Sequence, residues 1–354
     1  MNTPNHSGSD ILRNANPIIS VIGAGAMGSQ IAHRLFQSGA GPILTNLDGR
    51  SPETCKRAVE CRMEDTSYAD IVSRATYILS IVPPKDAFAI AKIIADTVKI
   101  SNSEETTAPA QPRTKLVFID CNAVNPSSAK QMAELFVNTS ATFIDGAIVG
   151  GPPSEVYNPG LYICADPDDE AVLEELEVTL KKYGLQPFSL KGEGAGIGDA
   201  SAVKMANSGI VKGAIALFTS MILASYASSP STSQGLLHSL HISQSTFIDQ
   251  MIRLVPQMTP KAYRFVEEMK EVARFTEDEG LDEISCIYEG AAKLFQKIAR
   301  THEARGREEG QNAYLNRTVK GREFDDVDAL LAVISDAKVL WARDKGKSWD
   351  PSHM

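Results

Sequence analysis

Three glycines after the first predicted strand constrain the fold of this chain more than any other feature. The strand covers residues 18–22, and Gly23, Gly25 and Gly28 follow in the sequence GAGAMG, just before the helical segment SQIAHRLFQSG. In this spacing the first glycine permits a tight turn, the second lets the backbone approach a pyrophosphate, and the third lets the helix pack on the strand. The turn predicts a dinucleotide site; the alternative is a turn with a structural role alone. The residues assigned to the site are Gly23, Ala24, Gly25, Ala26, Met27 and Gly28.

Short β-branched runs alternate with longer helical segments as far as residue 190. The predicted strands are 18–22, 42–45, 77–82, 116–120, 142–145 and 161–165. The predicted helices between the first five strands include 29–37, 86–98 and 127–138. This alternation predicts an α/β fold with a doubly wound parallel sheet of the Rossmann type. Residues 101–114 contain almost no apolar side chain and are predicted to form an exposed loop.

The pattern becomes helical from residue 198 onward, with almost no strand signal. The predicted helices cover 199–227, 243–253, 259–279, 282–302 and 325–342. Pro256, Pro260 and a Ser/Pro-rich loop at 228–235 are expected to interrupt them. We therefore predict a flexible arm over 1–16, an NADP-binding Rossmann domain over 17–190 and an all-helical domain over 191–354.

Charge and cysteine content disfavour several classes of protein. The chain has 44 acidic residues and 35 Lys or Arg residues, so its net charge of −9 disfavours nucleic acid and anionic membranes as partners. The five cysteines are odd in number and lack CxxC spacing, which is typical of a reducing compartment. The N-terminus has no signal-peptide pattern, and the longest nearly uncharged run, 213–227, is shorter than the ~20 residues of a membrane span. We expect a soluble, cytoplasmic protein.

The end of the second predicted strand indicates which dinucleotide binds. An acidic residue there accepts hydrogen bonds from the ribose of NAD, whereas an arginine pairs with the 2′-phosphate of NADP. The sequence offers Asp48 for the first role, and Arg50 with Ser51 for the second. Because arginine supplies a charge and a fork of donors, we predict NADP; the alternatives are NAD and an Arg50 that is only a solvated loop residue. Val82 and Pro83 are also assigned to the cofactor.

A lysine in an otherwise apolar stretch lies near the start of the helical domain. Lys204 is the one charged residue between Asp199 and Lys212. Burial disfavours the charged form, so the pKa of Lys204 is expected to fall, and an amine tuned toward neutrality can exchange a proton with a hydroxyl group. On a helix, Asn207 and Ser208 lie on the same face as Lys204. The alternative is a lysine that extends from a core helix to the surface.

Four segments carry family motifs in a fixed order. They are GAGAMG at 23–28, DCNAVNP at 120–126, DGAIVGG at 145–151 and GDASAVKMANS at 198–208. Together they resemble the motifs of the β-hydroxyacid dehydrogenase superfamily, which includes 3-hydroxyisobutyrate and 6-phosphogluconate dehydrogenases. Within it, the chain is most similar to the branch that carries a 6-phosphogluconate-dehydrogenase-like C-terminal domain.

The fourth motif implies the catalytic residues. By resemblance, Lys204 is the catalytic lysine and Asn207 orients either that lysine or the substrate oxygen. Ser208 is assigned to the substrate, although it stands where the family has a second asparagine, and Ala200 replaces a family glycine. Lys212 could bind an anionic end of the substrate, with a surface role as an equal alternative.

The second and third motifs imply the substrate cradle. By resemblance, the loop with Asn122 contacts both substrate and cofactor, and the amides of Gly150 and Gly151 hold a substrate carboxylate. Val149 replaces a family serine and Ala123 replaces a hydroxyl residue, so the cradle has lost polar groups. No family member's substrate is therefore transferred to this chain. The family's dimerisation elements imply a homodimer.

Three further residues carry weaker signals. His238 and His241 have helical spacing but no carboxylate partner nearby in the sequence, so we interpret them as solvated or packed side chains. Cys121 lies within the second motif, where a structural thiol is favoured over a nucleophile because no histidine stands beside it. No metal site is predicted.

The sequence thus predicts an NADP(H)-dependent oxidoreductase. It would interconvert a small hydroxy acid, or a related secondary alcohol, with its carbonyl compound, and Lys204 would be the general acid and base. One alternative is an imine reductase, whose members share this architecture but usually replace the lysine. The other is a dinucleotide-binding protein without catalytic activity.

We predict that the protein does not oxidatively decarboxylate 6-phosphogluconate. In 6-phosphogluconate dehydrogenases the acid that protonates the product carbon is a glutamate seven residues after the catalytic lysine; here that position is Val211, which has no proton to give. The test incubates the protein with 6-phosphogluconate and NADP and measures released carbon dioxide. Release at enzymatic rates would show that the assignment of Lys204 is misaligned.

Overall fold

The computed structural model describes residues 16–104, 115–305, 317–319 and 322–345. The chain forms two compact units, Met1–Met205 and Ala206–Met354, and each is described by itself. Residues 1–15 of the predicted arm and 105–114 of the predicted loop lie outside the described residues.

The first unit is built on an eight-stranded sheet in the order β3-β2-β1-β4-β5-β6-β7-β8. Its strands are β1 (Ile19–Ile22), β2 (Ile43–Thr45), β3 (Met63–Asp65), β4 (Tyr77–Ser80), β5 (Leu116–Asp120), β6 (Ala141–Val149), β7 (Gly160–Cys164) and β8 (Gln186–Ser189). The first six strands are parallel, and β7 pairs antiparallel with β6. The order reverses between β1 and β4, which is where such sheets bind dinucleotides. The prediction of a doubly wound, mainly parallel sheet is confirmed.

Helices cover both faces of this sheet. They are α1 (Ala26–Gln37), α2 (Pro52–Glu60), α3 (Tyr68–Arg74), α4 (Pro84–Glu104), α5 (Pro126–Glu134) and α6 (Glu170–Lys182). The strands β1, β4 and β5 are buried along their whole length, as expected of parallel strands covered on both faces. On one face the rings of Phe118, Phe136 and Phe143 pack together, with centroids 5.0–6.0 Å apart.

Several boundaries differ from the predicted ones. Helix α4 continues to Glu104, so residues 101–104 of the predicted loop are helical. The prediction did not include β3, which has three residues, two of them exposed. The prediction also missed β8, whose sequence QPFS contains a proline and has only one buried residue. Short strands at the sheet's edges carry little hydrophobic periodicity, and periodicity is the signal that identifies strands.

The second unit is mainly helical. After α7 (Asp199–Ser228), which runs across the boundary between the units, come α8 (Pro230–Ser243), α9 (Ser245–Met258), α10 (Ala262–Asp278), α11 (Asp282–Arg305) and α12 (Asp326–Lys345). A short antiparallel pair, β9 (Arg317–Val319) and β10 (Arg322–Phe324), lies between the last two helices. The prediction of a helical C-terminal region is confirmed.

Two predicted helix interruptions are wrong. Residues 230–235, predicted as loop, form the first turns of α8, because Ser229 accepts a hydrogen bond from the Thr232 amide (3.0 Å) and Pro230 stands at the first helical position. Pro256 lies within α9 and does not end it.

One helix among the described residues has the length and apolar composition of a membrane span. It is α7, with a mean hydropathy of 1.6 over its most apolar stretch, of which 39% is buried inside the protein. A core helix of a globular protein meets the same criteria, so α7 by itself is weak support for a membrane location.

Two buried carboxyl groups lie side by side on adjacent strands. Asp120 on β5 pairs in register with Asp145 on β6, and neither side chain reaches the solvent. Burial, together with the neighbouring Asp145 charge, raises the pKa of Asp120 to about 7, although hydrogen bonds from Asn122 oppose the shift. Burial also raises the pKa of Asp145. The sheet therefore favours a protonated Asp120 below neutral pH.

We predict that this carboxyl group makes the protein less stable as the pH rises from about 4 to about 7. A folded-state pKa above the unfolded value favours the folded state at low pH, and this stabilisation is lost as pH rises through the folded pKa. The shift from 3.8 to about 7 corresponds to about 4 kcal/mol. Asp120→Asn should remove this part of the pH dependence, as measured by urea denaturation followed by circular dichroism. The exposed Asp168→Asn is the control, and an unchanged pH dependence in Asp120→Asn would contradict the prediction.

Candidate functional site

The glycine turn at the end of β1 has no space for side chains at two of its positions. Gly23 has a φ of +106°, and a Cβ there would collide with the carbonyl oxygen of Ile81, which follows β4. A Cβ on Gly28 would collide with the carbonyl oxygen of Gly23. Both glycines therefore permit the close packing of α1 and β4 against the turn.

The middle glycine of the turn faces open space. Gly25 is the residue before α1, and a Cβ at this position would meet no atom within 4 Å. The amides at the start of α1 carry the positive end of the helix dipole, which favours an anion. The residues of the turn thus fit the pyrophosphate of a dinucleotide.

The predicted specificity residues lie in the loop between β2 and α2. Ser51 caps α2, its hydroxyl accepting a hydrogen bond from the Thr54 amide (3.3 Å). Arg50 is half-buried, and its charge opposes the rise that burial causes in the pKa of the Tyr68 hydroxyl. Asp48 is exposed and accepts a hydrogen bond from Asn46 at 3.0 Å. Arg50 and Asp48 therefore both lie near the Tyr68 hydroxyl.

A second arginine, which the sequence analysis missed, joins this loop to the glycine turn. Arg57 on α2 donates from Nε to the carbonyl oxygen of Ala24 (3.3 Å) and from Nη2 to the Thr54 hydroxyl (3.1 Å). The Thr54 hydroxyl is in turn 3.2 Å from that of Ser51. Ser51, Thr54 and Arg57 are spaced three residues apart, so the sequence could have indicated that they lie on one face of α2.

Asn122 connects the ends of β4 and β5. Its Oδ1 accepts a hydrogen bond from the amide of Val82 (2.7 Å), and its Nδ2 donates to Asp120 (2.5 Å) and Ser80 (3.1 Å). The side chain is buried and its polar atoms are bonded to the protein. Asn122 therefore positions the segment of Val82 and Pro83 beside the glycine turn.

Lys204 is held by the end of β6. Its Nζ donates a hydrogen bond to the carbonyl oxygen of Ile148 at 2.7 Å, and burial lowers the pKa of the ammonium group. The hydrogen bond fixes the position of the amine, while the lowered pKa favours the neutral form.

The start of α7 is attached to the same strand. Asp145 accepts hydrogen bonds from the amides of Gly198 (3.0 Å) and Ser201 (3.0 Å) and from the Ser201 hydroxyl (2.7 Å). Strand β6 thus holds both the first turn of α7 and the amine of Lys204.

Gly150 and Gly151 follow β6 directly. Gly150 has a φ of +127°, and a Cβ there would collide with the hydroxyl of Tyr157. Gly151 is exposed, and a Cβ there would meet no atom within 4 Å. The first unit therefore brings these two glycines to the same strand end as Lys204, together with a tyrosine that the sequence analysis did not indicate.

The other predicted residues on α7 belong to the second unit. Asn207 is exposed and Ser208 is buried. The ammonium of Lys212 contacts the Glu268 carboxylate, lies 3.4 Å from the Ser208 hydroxyl and lies over the Phe265 ring. The charge of Lys212 is thus neutralised by Glu268, a partner that sequence spacing could not have indicated.

The three weaker candidates have ordinary surroundings. His238 is exposed and His241 is half-buried. Cys121 is buried, and this burial raises the pKa of its thiol, which disfavours the reactive thiolate. Within the described ranges, no three His, Cys, Asp or Glu side chains are grouped to hold a metal ion.

Solved structures share this fold. A conserved protein of unknown function, reported to resemble 3-hydroxyacid dehydrogenases, is 24% identical, with a TM-score of 0.60 over 82% of this chain and 99% of its own. A conserved hypothetical protein from Sinorhizobium meliloti 1021 is 21% identical, with a TM-score of 0.62 over 92% and 98% of the two chains. A Mycobacterium tuberculosis 3-hydroxyisobutyrate dehydrogenase is 13% identical, with a TM-score of 0.54 over 90% and 99%. At such identities the likeness establishes the fold alone.

Two protein families match successive parts of the sequence. Residues 18–187 match the NAD binding domain of 6-phosphogluconate dehydrogenase, and residues 227–298 match a domain of unknown function, DUF1932. A comparison with curated proteins finds no match. The chain therefore combines an NAD-binding domain like that of 6-phosphogluconate dehydrogenase with a C-terminal DUF1932 domain.

Proposed function

We propose that this protein is an NADP(H)-dependent oxidoreductase that interconverts a small hydroxy acid, or a related secondary alcohol, with its carbonyl compound. The observation that carries the proposal is the amine of Lys204, which has a lowered pKa and is fixed on the Ile148 carbonyl oxygen. The same unit contains a glycine turn that fits a dinucleotide and matches an NAD-binding family. A positioned amine can act as the general base of an alcohol oxidation when a nicotinamide is bound beside it.

Lys204 is the general acid and base of the proposed reaction. In the oxidative direction its neutral amine takes the proton of the substrate hydroxyl, and a nicotinamide held at the glycine turn would supply the hydride acceptor. In the reductive direction its ammonium returns that proton to the forming alkoxide. The lowered pKa increases the fraction of neutral amine near pH 7, which favours exchange in both directions.

The substrate's acid group is assigned to the amides of Gly150 and Gly151. Gly151 has open space around it, so its backbone is accessible to a carboxylate. Asn207 keeps its proposed role of orienting the lysine or the reacting oxygen, as the family motif implies. Lys212 is less suited to an anionic substrate than its charge suggests, because Glu268 neutralises it.

The cofactor is proposed to be NADP. Arg50 and Ser51 lie where a 2′-phosphate is bound in such domains, and Arg57 adds a second guanidinium that reaches the glycine turn. Two cations and a capped helix N-terminus favour a phosphate over a bare ribose. Asp48, the residue expected to accept from the ribose of NAD, already accepts a hydrogen bond from Asn46.

A homodimer and a cytoplasmic location complete the proposal. Within the second unit, α7 exposes Ile210, Leu217 and Met221, which are 74%, 60% and 48% accessible. An apolar stripe of this kind is stabilised when a second copy covers it.

The cofactor proposal predicts a measurable preference. NADPH should bind more tightly than NADH, and Arg50→Ala should lower the affinity for NADPH roughly 10- to 150-fold, because a charge-assisted contact contributes ~1.5–3 kcal/mol. Arg57→Ala should also lower the affinity for NADPH. Arg50→Ala should bind NADH nearly as the wild type does, whereas Arg57→Ala also loses a hydrogen bond to the glycine turn that both cofactors share. Calorimetric titration of both cofactors measures this, with Lys56→Ala on the same helix as the control. If the wild type bound the two cofactors with equal affinity, Asp48 would be the residue that binds the ribose instead.

The catalytic proposal predicts the effect of removing the amine. Lys204→Met should lower turnover by about 10²- to 10⁴-fold, the usual contribution of a positioned acid–base group, while NADPH affinity stays nearly unchanged. The assay follows NADPH formation with a panel of small hydroxy acids and secondary alcohols, and Lys182→Met is the matched surface control. If a folded Lys204→Met turned over normally, the lysine would have no catalytic role. If the wild type and Lys204→Met reduced cyclic imines equally well, the result would support an imine reductase instead.

A further inference from the structure

The loop between β6 and β7 places a tyrosine hydroxyl at the proposed carboxylate cradle. We infer that the Tyr157 hydroxyl donates a hydrogen bond to the acid group of the substrate, beside the amides of Gly150 and Gly151. This inference rests on the proposed function and names one of its specificity-determining residues. Its direct support is the contact between the Tyr157 hydroxyl and the position that a Cβ of Gly150 would occupy.

The loop that carries Tyr157 is held in place by the Rossmann unit. Arg34 on α1 donates from Nη2 to the carbonyl oxygens of Ser154 (2.5 Å) and Tyr157 (3.2 Å). The backbones of Ser154 and Tyr157 also exchange two hydrogen bonds, of 2.8 and 3.4 Å. Because the backbone is fixed at these points, the loop does not have to become ordered when a ligand binds, which lowers the entropic cost of binding.

The Tyr157 hydroxyl is available to hydrogen-bond a ligand. The Tyr157 side chain is 44% accessible, and its hydroxyl forms no hydrogen bond to another described residue. A phenol is a hydrogen-bond donor, and its bond to a carboxylate is charge-assisted and therefore stronger than one between neutral groups. A carboxylate on the amides of Gly150 and Gly151 would lie beside this donor.

The spacing along β6 fits the proposed substrate class. Lys204 bonds to the carbonyl oxygen of Ile148, and Tyr157 lies against Gly150, two residues further along the chain. Because two residues span at most about 7 Å, these two points on the backbone are close together. An acid of three or four carbons is long enough to place its hydroxyl group at the lysine and its carboxylate at the tyrosine.

Tyr157 also supplies a side-chain hydrogen-bond donor, which the end of β6 lacks. Val149, the last residue of β6, has no polar side-chain atom, and neither does Ala123 in the loop after β5. A hydroxyl from the neighbouring loop can therefore provide the donor that these two positions do not. The specificity of the site would then depend on the β6–β7 loop.

The test removes the hydroxyl and keeps the ring. The protein saturated with NADP is titrated with 3-hydroxypropionate, a small hydroxy acid, in calorimetric experiments on the wild type and on Tyr157→Phe. Tyr162→Phe is the matched control, because that ring stacks on Phe188 in β8. Tyr157→Phe should weaken binding of 3-hydroxypropionate about 10-fold or more, while Tyr162→Phe leaves it unchanged. NADPH affinity should be the same in all three proteins.

Steady-state kinetics separates substrate binding from catalysis. In Tyr157→Phe the KM for a hydroxy acid should rise while kcat changes little, as expected when a binding contact made equally in the ground and transition states is removed. Equal affinity of Tyr157→Phe and the wild type for 3-hydroxypropionate would overturn the inference. Failure of the wild type to bind this acid would overturn it as well. In either case the turnover of Lys204→Met with alcohols decides the proposed function separately.

Discussion

The hydrogen bonds that β6 makes to the first turns of α7 determine where the proposed chemistry can occur. Asp145 accepts three hydrogen bonds from Gly198 and Ser201, and three residues further along the strand Ile148 accepts one from Lys204. A strand is stiff, so the two anchors fix both the start of the helix and the position of its lysine. Burial of the carboxylate makes these bonds costly to break, because an unpaired buried acceptor is destabilising. The amine is therefore positioned by the sheet.

The cofactor side of the unit depends on a different constraint. The turn at Gly23 and the end of β4 approach each other so closely that no Cβ fits between them, while Asn122 joins β4 to β5 through the amide of Val82. These contacts bring the carboxyl ends of three parallel strands together where the strand order reverses. The crevice of a doubly wound sheet arises there because neighbouring loops diverge to opposite faces. Steric contact and hydrogen bonding thus shape the crevice independently of any ligand.

The sequence predicted what local pattern determines. The glycine spacing, the alternation of strands and helices and the isolated Lys204 are readable because each depends on residues close in the chain. The sequence did not predict the hydrogen bond of Arg57 to Ala24, the position of Tyr157 or the Lys212–Glu268 pair. Each depends on contacts between segments that are distant in sequence or on a loop conformation. The start of α8 was missed for another reason: a serine followed by proline occurs both in loops and at helix N-termini, and composition alone does not distinguish them.

The packing of the glycine turn has a consequence for how this protein can change over evolutionary time. Because the turn contacts its neighbours through backbone atoms, a side chain at Gly23 or Gly28 would collide with them, so these two positions of the pyrophosphate site tolerate little change. Arg50 and Ser51 lie in a separate loop, where side chains can be exchanged without moving the turn. Cofactor preference and cofactor binding are thus under separate structural control. A lineage could switch between the two dinucleotides by changing one short segment, without passing through a form that binds neither.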